Sequence, residues 1–256
     1  KFIIHELKTD FPIFSENLEI FKKETLSLEN LPFNPQTAAF KPMEEVVLLN
    51  STANAESIYQ DALYFMKQNN YYNDGRIDPG LLSESIGLFH NRALELVNYT
   101  FYVRGISLAG LTHLLRHRIQ TPILPDLFNP ELNYSLLMPK SIRVSGLREE
   151  FLELAKESAH LEKSTGNFYY RIVAAAFPVV FNMNLRELYL FFKLRLCERA
   201  QWEIREMADQ MLSLAKEKNP LLFQKAGPSC VILGYCPEGS HSCGRMAEKK
   251  AKYLSL

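Results

Sequence analysis

The side chains of this chain best placed to do chemistry are arginines. The 256 residues carry 29 Lys and Arg against 29 Asp and Glu, so the chain as a whole has no net charge and does not read as a binder of nucleic acid or of acidic membranes. The charges are unevenly spread, however. The window Arg104 to Arg205 contains 10 of the 13 arginines, only 4 of the 16 lysines and 10 acidic residues, so it is net +4 and the remainder −4. Arginine presents a planar, two-pronged donor that matches phosphate and carboxylate, which points to small anionic ligands. Two blocks concentrate this chemistry. In the first, Ser107 caps a helix expected to run to Ile119, so that His113, Arg116 and His117 share a face and Arg118 points elsewhere. Cations in a last helical turn complement its negative end. Three adjacent cationic or titratable groups also repel one another, and an anion would relieve that repulsion.

In the second block Asn184 caps a long helix, with Glu187 at the capping-box position and the pattern continuing to about Lys216. Its free N–H groups and Arg186 could form an anion site at the helix start. Arg195 and Arg199 lie one turn apart, spaced to pair with Glu198 and Glu203 on the same helix. His113 and His117 also have the spacing of a helical zinc site. Leu114 stands where a metalloprotease needs its glutamate base, which excludes that chemistry. The tail holds Cys230, Cys236, His241 and Cys243, a ligand set suited to tetrahedral zinc but equally readable as free or redox-active thiols. Gly239 to Met246 imitates a phosphate loop without its Lys and Ser/Thr, and no dinucleotide or nucleophile-elbow motif occurs. Any flavin or nucleotide is therefore held by something other than a Rossmann fold.

The elements that must position these groups alternate in type. Glu45 to Asn50 reads as a strand, Ala55 to Gln68 as a helix, Asn69 to Gly80 as a loop, Leu82 to Phe89 as helix and Glu95 to Gly105 as a strand. Pro122 to Lys140 has four prolines and reads as loop, Gly146 to Ser164 as a charged helix, and Tyr169 to Ala176 as the start of another helix. The composition, 47% hydrophobic and 23% charged, is that of a folded globular chain. The longest apolar run, Ile172 to Phe181, is broken by Pro178 and is well short of the roughly 20 residues that span a bilayer. No secretory pattern follows Lys1, and a cytoplasmic location is expected. The expected organisation is one domain over 1–226 with a Cys-containing tail over 227–256.

Taken together the two arginine blocks resemble one family, the flavin-dependent thymidylate synthases, also called thymidylate synthase complementing proteins. Arg116-His117-Arg118-Ile119-Gln120-Thr121 is similar to that family's Arg-His-Arg-x-x-Ser signature. Asn184-Leu185-Arg186, Leu194-Arg195 and Ala200-Gln201-Trp202-Glu203-Ile204 look like its second run with the spacing intact. The resemblance implies an α+β fold with a mixed or antiparallel sheet and long helices, assembled as a homotetramer. It implies FAD held by Arg116, His117, Arg118, Thr121, Asn184 and Arg186, and dUMP contacted by His113, Arg116, Arg171 and Arg195. Arg195 would stabilise the ionised uracil ring, with NADPH as reductant and methylenetetrahydrofolate as carbon donor in forming dTMP. The chain departs from the family where Pro122 to Phe128 replaces a polar signature, where His113 stands for Gln and where Leu190 stands for Asn. Two alternatives follow from those departures: a flavoprotein relative acting on another nucleotide, and a non-catalytic nucleotide-binding homo-oligomer.

Overall fold

The computed structural model describes residues 46–66, 76–86, 91–129 and 132–254. The readings of residues 1–45, and parts of those over 67–75 and 87–90, lie outside them. In chain order the elements are β1 (Val46–Ser51), α1 (Ala55–Met66), α2 (Pro79–Ile86), β2 (Asn98–Ser107), α3 (Leu108–Leu114), β3 (Gln120–Ile123) and β4 (Ser135–Leu136). There follow α4 (Lys140–Val144), α5 (Arg148–Thr165), β5 (Ala175–Asn184), α6 (Leu185–Arg195), α7 (Trp202–Lys218), α8 (Pro220–Phe223), α9 (Ser229–Leu233) and α10 (Met246–Leu254). This is the expected α+β architecture.

The sheet follows from alternation. In β2, Tyr99, Phe101 and Val103 are buried while Thr100 and Tyr102 are less so, the period of a strand with one face on the core. The strands run antiparallel in the order β1-β2-β5-β3, with β4 also paired to β5. On the core side Tyr99, Phe101, Phe181, Phe191, Phe192 and Phe223 are fully buried. Ile204, Met207, Ala208, Met211, Leu212 and Ala215 of α7 recur at helical spacing and are buried against the same cluster. Val231 of α9 and Tyr253 of α10 belong to it too.

Three expectations are corrected. The run from Tyr169 does not begin a helix: a short 3-10 turn at Phe168–Tyr170 leads into β5. Pro178 is tolerated because it lies at an irregularity, between Phe177 and Val179, where the β2 register shifts, and β3 pairs only with residues 180–183. The long helix after Asn184 is two helices, broken over residues 196–201. The helix capped by Ser107 stops at Leu114 rather than Ile119, because the Gln120 amide donates to the Leu114 carbonyl at 2.7 Å and the chain turns.

One buried contact joins the two blocks. The carboxylate of Glu203, 1% exposed, accepts from the backbone N–H of Ser107 and from its hydroxyl at 2.6 Å. Ser107 Oγ in turn accepts from Gly110 N at 3.0 Å, capping α3. A Cβ at Gly110 would come within 2.8 Å of the Glu203 carboxyl group and of Ile106 Cγ1. Gly110→Ala is therefore expected to lower stability by about 1–3 kcal/mol, seen as a fall in the melting temperature. An unchanged melt would show that Glu203 does not hold α3.

Candidate active site

The first arginine block lies in the turn after α3, and the second begins at the N-terminus of α6. Asn184 caps α6 as expected, its side chain accepting from Glu187 N at 2.9 Å. Glu187, Phe191 and Arg195 follow at intervals of four, so they form one stripe along α6. The imidazole of His117 packs against that stripe. Its Nδ1 is 2.7 Å from Glu187 Oε1, its ring meets Phe191 edge-on at 4.9 Å, and Arg195 Nε lies 2.9 Å from its Nε2. A guanidinium can only donate, so Nε2 accepts and the ring proton sits on Nδ1, donated to Glu187. The side chains of His117 and Glu187 are 4% and 3% exposed. Both ring nitrogens are thus engaged, and the side chain of His117 orients Arg195. The same hydrogen bonds exclude a metal on the His113 and His117 pair.

Arg195 is half-buried and also reaches the His113 carbonyl at 3.4 Å. Burial lowers its pKa, and so does the charge of Arg116. Burial lowers that of His113 as well, followed by the charges of Arg195 and Arg116, with Glu203 acting weakly in the opposite sense. His113, Arg116 and Arg195 therefore share a positive field. Arg116 and Arg118 are exposed and make no ion pair among the described residues. Thr121, exposed on β3, pairs in register with Asn182 of β5.

The other expected site residues are placed differently. Arg186 is exposed and bound to Glu95 at 2.5 Å, which holds the Glu95 carboxyl below its usual range. Arg171 is buried. Its side chain is 2% exposed, ion-paired to Glu162, and donates to the carbonyls of Leu127 at 2.6 Å and Asn129 at 2.9 Å. It also lies over the rings of Tyr134 and Phe177. It braces the segment after Thr121 instead of facing a nucleotide. The ion pairs expected along one helix are absent, since residues 196–201 are not helical. Glu203 is bound to Ser107, Arg199 donates to the His241 carbonyl, and Glu198 pairs with Arg245 at 3.2 Å and Lys249 at 2.5 Å.

Among the described residues no group of three or more His, Cys, Asp or Glu is placed to hold a metal ion. His241 sits on a 3-10 turn, outside the cavity of about 170 Å³ that Cys230, Cys236 and Cys243 line. Cys197, which the spacing of the tail could not reveal, lines that cavity with them. Burial raises the Cys230 thiol, and the other three thiols push it the same way.

The family model for thymidylate synthase complementing protein matches residues 172–221, which span β5, α6 and α7. The flavin-dependent thymidylate synthase of Geobacter sulfurreducens is 36% identical over 188 residues, covering 68% of this chain and 80% of that protein. The chain belongs to this family. That of Nitratidesulfovibrio vulgaris is 40% identical over 175 residues, 61% of this chain and 71% of that one. The family fold is seen again in the structure of ThyX from Helicobacter pylori complexed with FAD and dUMP. It superposes with a TM-score of 0.60 at 19% identity and covers 72% of this chain and 99% of that one. An enzyme of the family is thus the frame for the cluster of His113, Arg116 and Arg195.

Two outcomes test the geometry. Glu187→Ala strands the buried Nδ1–H of His117 and is expected to cost about 1–3 kcal/mol, whereas Glu187→Gln keeps an acceptor and costs less. Denaturant midpoints of the two variants, if equal, would show that the acceptor does not matter. The second concerns pH. The folded pKa of His113 lies below its unfolded value, so the unfolded chain binds more protons as pH falls through the imidazole range and His113 subtracts stability there. His113→Gln should therefore lose less stability than the parent between about pH 7 and about pH 5, measured by chemical denaturation at each pH.

Proposed function

We propose that the chain converts dUMP to dTMP, with FAD as cofactor, NADPH as reductant and methylenetetrahydrofolate as carbon donor. Membership of the family supports this reading, and one observation carries it: Arg116 and Arg195 share a field with His113, and Arg195 is held by a neutral ring rather than by a carboxylate. Such a site keeps its positive charge for an anionic ligand.

The residues present fit a flavin dinucleotide. Arg116 and Arg118 are exposed and unpaired among the described residues, as a diphosphate would require, and Thr121 and Asn184 offer polar groups on the neighbouring β3 and at the start of α6. Arg186 can join them by exchanging Glu95 for phosphate. When bound, the reduced flavin supplies the hydride. The chain's own part is electrostatic. His117 fixes the guanidinium of Arg195 through Nε and the His113 carbonyl takes Nη2, leaving Nη1 to stabilise negative charge on the uracil ring. Arg116 and His113 add positive potential for the nucleotide phosphate. The reaction needs no protein nucleophile, in keeping with a site built of arginines.

The same reading gives a homotetramer. Leu115, Ile119, Ile123, Leu190 and Leu194 flank the arginine blocks in sequence and stay exposed in the single chain, which suits burial between subunits. No helix among the described residues is long and apolar enough to cross a membrane. A reaction drawing on nucleotide, folate and NADPH pools belongs in the cytoplasm, with no nucleic acid as partner. The purified protein is expected to be yellow, to release tritium from dUMP labelled at C5 and to form dTMP with folate and NADPH. Arg195→Ala should lower kcat about 100- to 1000-fold while flavin absorbance remains. A colourless protein that takes up no FAD would overturn the proposal, and a yellow one inert toward dUMP would move it to another nucleotide.

A further inference from the structure

All four cysteines of the chain converge on one cavity, although the first and last lie 46 positions apart in sequence. Cys197 comes from the break after α6, Cys230 from α9, and Cys236 and Cys243 from the connection to α10, and all four are free thiols. The cavity between them has a volume of about 170 Å³. This arrangement does not suit a single metal ion. Four thiolates around zinc, each about 2.3 Å from it, would stand about 3.8 Å apart with no void between them, and no such group exists among the described residues. Four thiols spaced around a void suit a ligand that has bulk of its own and takes one thiolate at each corner. Iron–sulfur clusters are held by four cysteines in this way.

Two further observations agree. The wall of the cavity is net cationic: Lys193, Arg195, Arg199 and Lys249 line it against Glu198 and Glu238, and the carboxylate of Glu198 is engaged by Lys249 and Arg245. An all-thiolate cluster is negative and is stabilised by such a wall. Second, the connection from Gly234 to Gly244 has little apolar packing. Apart from the half-buried Cys236 its residues are exposed, and it turns through left-handed glycines at Gly234, Gly239 and Gly244. Arg199 anchors it to the rest of the fold by donating to the His241 carbonyl. A segment with so little core needs another tie, and metal ligation is the usual one.

We propose that Cys197, Cys230, Cys236 and Cys243 hold a [4Fe–4S] cluster between the end of α6 and the tail. The site does not depend on the reaction assigned above, and its test reads neither FAD nor dUMP. The full chain, prepared without oxygen and reconstituted with ferrous iron and sulfide, should contain iron and acid-labile sulfide in equal amounts, about four of each. Its Mössbauer spectrum should be that of a cubane cluster. Cys197→Ser, Cys236→Ser and Cys243→Ser should each lose at least half of the iron and sulfide, whereas His241→Ala should retain both. Circular dichroism of the variants separates loss of the cluster from loss of the fold. Zinc without sulfide, no bound iron, or iron undiminished in folded Cys236→Ser and Cys243→Ser would each overturn the proposal.

Discussion

A guanidinium that must meet an anionic ligand cannot be fixed by a carboxylate without losing the charge that makes it useful. Here Arg195 is held instead by a neutral imidazole, and the carboxylate of Glu187 stands behind that ring. The side chain is thereby oriented while its charge stays largely uncompensated. The surrounding fold serves that arrangement. The ring can be buried because Phe191 packs on it, and it reaches α6 because α3 ends at Leu114 and lets His117 turn inward. Ending α3 early uncovers a carbonyl, which the Gln120 amide satisfies.

The same economy explains the break between α6 and α7. Glu203 could have faced Arg199 had the helix continued. Bound to Ser107, it fixes the cap of α3 and so the turn that carries Arg116 and His117. Arg171 has a comparable part, buried against Glu162, Tyr134 and Phe177. It ties down the proline-rich segment after Thr121, through carbonyls at Leu127 and Asn129. The site is therefore held by buried polar contacts reaching across large sequence distances, each of which would be costly to leave half-made.

Local signals in the sequence were sufficient for the caps. Ser107 and Asn184 each stand before an apolar-periodic run with an acceptor side chain, and both cap as read. The alternation of β2 and the charged face of α5 were equally plain. The apolar run into β5 was not, because a short stretch of buried residues looks the same as helix or strand until its partners are known. Nor could the sequence place the break at residues 196–201, which contain neither Gly nor Pro; there a tertiary bond to Ser107 outweighs helical propensity. The arginines of the site were visible as residue types. Their division into an exposed Arg116, a half-buried Arg195 and a buried, bracing Arg171 was not, since tertiary contacts decide it. The stripe of Glu187, Phe191 and Arg195 was the one signal that could have shown His117 to be a support.

The pairing of β2 with β5 joins residues about 80 positions apart, with β3, β4 and three helices in the intervening chain. His117 and Arg195 lie on elements leading out of those two strands. Neither can find the other until that long loop has closed, and closing it precedes the contacts that reward it. Until then the arginines of the two blocks have no imidazole or carboxylate to order them, and bringing them together works against their charge. The site is thus among the last parts of the molecule to form, and an anion present during folding would act on the final docking step rather than on the collapse that precedes it.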